Sequence, residues 1–170
     1  MNAIVTKIRE KLGSMRLFEK GWRDQYIKYE LHMVKSRISE GRRDYRFSCA
    51  SDVYAFLVDI VKLDAMTKEH FVVIAIGSKG DVNGYSVISI GDLSSSIVHP
   101  REVFQFAILC NAAAIIAAHN HPSGDPSASI EDIAATKRLS DCGDLLGIRL
   151  LDHIIVGDGK YESMRTEGHI

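Results

Sequence analysis

The 170-residue chain is poor in cysteine and lacks any long apolar run. Its three cysteines, Cys49, Cys110 and Cys142, are too few and too scattered for a disulfide framework or a CxxC metal site. Cys110 sits among apolar neighbours and reads as a small core residue. The longest apolar run, Ala112 to Ala118, is far too short to cross a bilayer. The opening stretch MNAIVTKIREK spreads its charges and holds no unbroken apolar segment, so no secretory leader is expected and a cytoplasmic location is the default. Internal repeats and low-complexity tracts are also missing.

What remains is the make-up of one soluble globular domain, 46% hydrophobic and 25% charged, long enough to bury a real core. The net charge of −1 hides an asymmetry. Residues 1–46 hold twelve Lys and Arg against six Asp and Glu, a balance of +6, whereas residues 47–170 hold nine against sixteen, a balance of −7. A basic arm joined to an acidic body is therefore expected. The arm's charge, with Trp22, Tyr26 and Tyr29 among it, leaves nucleic acid open as a partner without establishing it.

In that arm, Ile4, Ile8 and Leu12 have helical spacing, and Trp22 to Ile38 reads as a further helix or extension. The polar stretch SEGRRDYR (39–46) reads as a linker. Beyond it, Ser51 or Asp52 is placed to cap a helix whose apolar face is Val53, Phe56, Leu57 and Ile60. FVVIAIG (71–77) and YSVISIG (85–91) read as strands of a hairpin joined by SKGDVNG. Pro100 marks a helix start, with Val103, Phe104, Ala107 and Ile108 as its buried side. AAIIAAH (113–119) reads as a buried strand, a helix follows from Ser129 to Leu146 and ends at Gly147, and residues 149–164 read as two strands around Gly-Asp-Gly. This alternation predicts a three-layer α/β domain built on one sheet.

The chemistry concentrates in His119-Asn-His121-Pro-Ser-Gly-Asp-Pro-Ser-Ala-Ser129-Ile-Glu-Asp132. Two histidines at i and i+2 of an extended segment project to one side. Pro122 favours the extended conformation at His121. The loop then returns the chain so that Asp132 falls in the first turn of the next helix. Two imidazoles and a carboxylate make a three-ligand zinc set that leaves one position for water, which the net positive site would acidify. Ser129 and Asp132 also read as a capping box, and both functions can coexist. Asp125 and Glu131 are nearby carboxylates that could compete for the metal, and His153 reads either as a partner to a ligand or as a satisfied core histidine.

The pattern HxHPx6SxxD is the metal signature of JAMM (MPN-plus, JAB) metalloproteases. The longer text HPREVFQFAI, AHNHPSGDPSASIEDIAAT and LLGIRLLDHIIVGDGKYESM resembles the RadC-like branch in particular, over about residues 50–170. The resemblance implies a cytidine-deaminase-like α/β/α fold around a mixed sheet, one Zn²⁺ per chain, and hydrolysis of peptide or isopeptide bonds in a protein or peptide substrate. It implies His119, His121 and Asp132 as ligands and Ser129 as the group that steadies the oxyanion. It also implies a glutamate as general acid/base at the start of the strand after the first core helix. Glu69 occupies that place, and Glu102 in HPREVF is the competitor. The branch carries a DNA-repair label, but residues 1–46 show no Gly-rich hairpin for contacting DNA, so a DNA-associated factor is the alternative reading. The PCxxC ligands of a zinc deaminase are absent.

Overall fold

A computed structural model describes residues 45–91 and 98–170. The expected arm helices, the aromatic cluster at Trp22, Tyr26 and Tyr29, and most of the 39–46 linker lie outside the described residues.

Helix α1 spans Ala50–Phe56 and widens into a π-helical turn, Leu57–Val61. Its N-cap falls two or three residues earlier than expected. Cys49 takes the N-cap position without a side-chain bond, and Asp52 acts from inside the first turn, its carboxylate accepting the Ser48 N–H at 2.7 Å. The wider turn also rotates the apolar face. Val61 and Leu63 are buried, whereas Ile60, expected on that face, is only half-buried.

The sheet contains β1 (His70–Ile76), β2 (Val82–Ile90), β3 (Ala114–Asn120), β4 (Arg149–Val156) and β5 (Tyr161–Ser163), in the order β2-β1-β3-β4-β5. Only the β3–β4 pair is parallel, so the sheet is mixed. The β1–β2 turn is tighter than its sequence suggests. Gly77 and Asp81 close it by a backbone bond of 2.8 Å, Gly80 adopts φ +79°, and Val82, Asn83 and Gly84 already belong to β2. Part of the reason is Asn83, whose amide donates to the Cys110 carbonyl and so anchors the strand's first residues.

Helix α2 spans Pro100–Leu109 and helix α3 spans Ile130–Leu146. Val103, Phe104 and Ala107 of α2 are buried, but Ile108, expected among them, is 55% exposed. Cys110, at the end of α2, is half-buried rather than in the core. Gly147 closes α3 with φ +71°, a left-handed conformation that suits glycine.

Because strand side chains alternate, the sheet has two cores. On one face Val72, Ile74, Ile116 and Ile154 pack under α1; on the other Phe71, Val73, Ile115 and Ala117 pack under α2 and α3. The domain is therefore the expected three-layer α/β structure. Among the described residues no helix is long and apolar enough to cross a membrane.

Candidate metal centre

His119 and His121 share the α3 side of β3 because they are two residues apart on an extended backbone. Ser129 is the N-cap of α3, its hydroxyl oxygen accepting the Asp132 N–H at 3.1 Å, while the Ser129 N–H donates to Asp132 Oδ2 at 2.8 Å. This reciprocal box fixes the first turn of α3 and turns the Asp132 carboxylate toward the histidines. His119 Nε2 lies 2.9 Å from His121 Nε2 and 3.2 Å from Asp132 Oδ1, and His121 Nε2 lies 3.5 Å from Asp132 Oδ2. These three residues form the one cluster among the described residues that could hold a metal ion.

Two features suit a cation. The first is proton placement: His121 Nδ1 lies 2.7 Å from the Asp125 carbonyl, which can only accept, so a neutral His121 leaves Nε2 bare and facing the cluster. The second is Asp132 Oδ1, which is buried without an aligned donor among the described residues, although such acceptors are ordinarily satisfied. The donor set therefore fits a metal ion.

Burial of the cluster is uneven, with only His121 reaching solvent. His119 and Asp132 are buried, and the His121 side chain is 17% exposed. The Phe71 ring lies parallel to His119 within 12°, and meets His153 edge-on. Burial pushes the Asp132 carboxyl up, but His119, His121 and the Ser129 hydroxyl outweigh it and hold it far below the usual carboxylate range. The hydrogen bond to Asp132 raises His121 above the ordinary imidazole value; burial opposes this, and the Asp125 carbonyl and the negative charges of Asp132 and Glu69 add to it.

Glu69 directly precedes β1. Phe71, two residues after Glu69, pairs with His119 in the antiparallel β1–β3 ladder. The negative charge of Glu69 is felt at His121. Glu102 lies exposed in the first turn of α2. The Asp125 carboxylate accepts from the Ser127 N–H and hydroxyl, and Glu131 is exposed; neither belongs to the cluster.

Two partners of the site, Asn120 and Thr136, had no clear mark in the sequence, and a third, His153, stands where the sequence left a ligand partner and a core histidine both open. Asn120, between the two histidines, points to the opposite face. Its amide donates to the carbonyls of Met66 and Lys68, both at 3.1 Å, and accepts the His70 N–H at 2.8 Å, clamping the segment that carries Glu69. His153 of β4 lies 2.8 Å from His119 Nδ1, and Thr136 of α3 lies 2.6 Å from the far nitrogen of His153. Burial pushes His153 well below the usual imidazole value, with the like charges of His119 and His121 adding to it and Asp132 opposing.

The model of the RadC-like JAB domain matches residues 47–169. A UPF0758 protein of Geobacillus thermodenitrificans is 45% identical over 126 residues, which is 74% of this chain and 55% of the relative. Another, from a Geobacillus species, is 53% identical over 105 residues, covering 62% and 46%. One from Methanosarcina mazei is 46% identical over 137 residues, covering 81% and 58%. The chain thus spans about half the length of the curated relatives it matches. With the signature residues gathered into one buried cluster and the family match running through both strands and helices around it, the chain belongs to the RadC-like JAB domain family.

Proposed function

We propose that this domain is a zinc-dependent hydrolase of peptide or isopeptide bonds. The observation that carries the reading is the His119–His121–Asp132 cluster, whose ligand atoms stand 2.9 to 3.5 Å apart. Ligands at zinc's usual bond lengths define a tetrahedron with edges of roughly 3.3–3.6 Å, so small shifts would close these atoms around the ion. Two nitrogens and one carboxylate oxygen, with one side facing solvent, match a catalytic site better than a structural one, which is closed by four protein ligands.

Zinc bound here supplies a Lewis acid and makes a neighbouring water acidic enough to react near neutral pH. The chain's own residues do the rest. Glu69, whose charge acts on His121, accepts the proton of the attacking water and returns it to the departing amine. Ser129 donates its hydroxyl proton to Asp132 Oδ2 at 2.6 Å. To steady an oxyanion it must turn that proton toward the substrate, while its oxygen goes on capping α3. The substrate enters from the side where His121 meets solvent.

The test uses the purified chain and a mixed peptide and isopeptide library read by mass spectrometry. Cleavage at defined bonds is expected, abolished by a chelator and restored by Zn²⁺. Cleavage that persists in the chelated protein, or none with zinc bound, would contradict the reading.

The raised His121 pKa adds a pH dependence. Metal binds the unprotonated imidazole, so a proton held more tightly than usual competes with the ion. Zinc affinity should therefore begin to fall at a pH above the ordinary imidazole value and drop by up to about tenfold per pH unit below it. A chelator competition series from about pH 8 to pH 5.5 checks this, and a flat profile would contradict it.

A further inference from the structure

Behind the three ligands lies a second row of polar side chains that the proposed chemistry does not use. Thr136 and His153 are both fully buried, so no water competes for their hydrogen bonds. The Thr136 hydroxyl donates to the Asp132 carbonyl oxygen at 2.6 Å. It has a single proton, and a carbonyl can only accept, so that proton is committed. The same oxygen lies 2.6 Å from His153 Nδ1, and it can meet that nitrogen only as an acceptor. His153 therefore carries its proton on Nδ1. A fully buried imidazole favours the neutral form, which leaves Nε2 bare to accept from His119 Nδ1 at 2.8 Å. His119 in turn is protonated at Nδ1 and bare at Nε2, the atom that faces His121 and Asp132.

We propose that His153 and Thr136 are positioning residues of the metal centre: a relay running from the Asp132 carbonyl through Thr136 and His153 fixes His119 in the one tautomer able to bind a metal. The proposal rests on the metal reading and deepens it. Its two ends are both ligand residues, since Thr136 stands one helical turn after Asp132 and His153 pairs across from Ala117, two residues before His119. His121 needs no such relay because the Asp125 carbonyl sets its tautomer directly. The carbonyl at the far end gives the chain of bonds its direction. Without the Thr136 hydroxyl, His153 can turn its proton toward His119, whose own proton then moves to Nε2 and blocks the metal.

The test has two arms on the full chain. In the first, ¹⁵N NMR of the metal-free wild type at about pH 8, above the ordinary imidazole range, reads the tautomers directly. His119 and His153 should both be Nδ1–H forms. A His119 in the Nε2–H form would overturn the proposal, and this arm decides even if zinc never binds. In the second arm, chelator competition measures Zn²⁺ affinity. Thr136→Val, which keeps the shape and removes the hydroxyl, should lose about 10- to 100-fold, while Thr136→Ser should stay close to wild type. Equal affinities for valine and serine would overturn the relay, whereas a wild type that binds no zinc would sink the metal reading instead. If Thr136→Val does not fold, His153→Gln against His153→Leu makes the same comparison, because Gln keeps an acceptor toward His119. The relay then requires the leucine variant to bind zinc more weakly by a similar factor, and equal binding overturns it.

Discussion

Glu69→Gln should lower the rate of peptide or isopeptide hydrolysis by about a hundred- to ten-thousand-fold while zinc content and thermal stability stay nearly unchanged. Glutamine keeps the shape and hydrogen-bonding reach of the side chain but cannot take a proton. Glu69 lies near enough for its charge to act on His121, yet it is not one of the three clustered residues, so its loss should affect proton transfer rather than metal binding. A second readout follows from its charge. Glu69 helps to raise the His121 pKa, so the substitution should lower that pKa in the metal-free protein. Glu102→Gln is the control and should leave the rate nearly unchanged, since Glu102 is exposed on the first turn of α2. If Glu102→Gln causes the large loss instead, the proton-transfer role passes to Glu102 and the metal centre is unaffected.

The three clustered residues are legible in the sequence because local rules position them. Period-two alternation puts His119 and His121 on one side, and a capping box delivers Asp132, so neither step needs long-range information. The layer order is legible for the same reason. The partners behind the ligands depend on tertiary placement. His153 is the clearest case. Leu150 packs on the α2–α3 face, and simple alternation from there would send His153 to the opposite face. A β-bulge between the Ile115–Leu150 and Ile116–Asp152 pairs shifts the strand by one residue, and His153 turns to the metal side. Asp152 steadies that irregularity, its carboxylate accepting the His153 N–H at 2.7 Å and the Ser163 hydroxyl at 2.7 Å. No spacing rule announces a bulge of this kind.

Other differences have equally local causes. The widening of α1 into a π-helical turn moves burial from Ile60 to Val61 and Leu63, and period 3.6 does not anticipate it. Ile108 follows the apolar pattern of α2 but lies outside the arc that the sheet covers. Asn120 looks like a spacer between two ligands in the sequence. Its role appears only when β3 lies beside the Met66–His70 segment, whose backbone groups it satisfies.

The largest effects should come from the ligands themselves. Asp132 is buried and joined to both histidines and to Ser129, and its Oδ1 atom has no aligned donor among the described residues. Asp132→Ala would leave two imidazoles and no anionic oxygen, and His119→Ala would remove the nitrogen at the centre of the cluster. Either change should abolish zinc binding at micromolar protein concentrations, because a zinc site with three protein ligands cannot hold the ion on two. The most direct measurement is the zinc content of the purified wild type and of these two variants by elemental analysis, after dialysis against metal-free buffer. About one zinc per wild-type chain and close to none in either variant is the predicted result. Full occupancy in both variants, or a wild type without zinc after exposure to the ion, would contradict it.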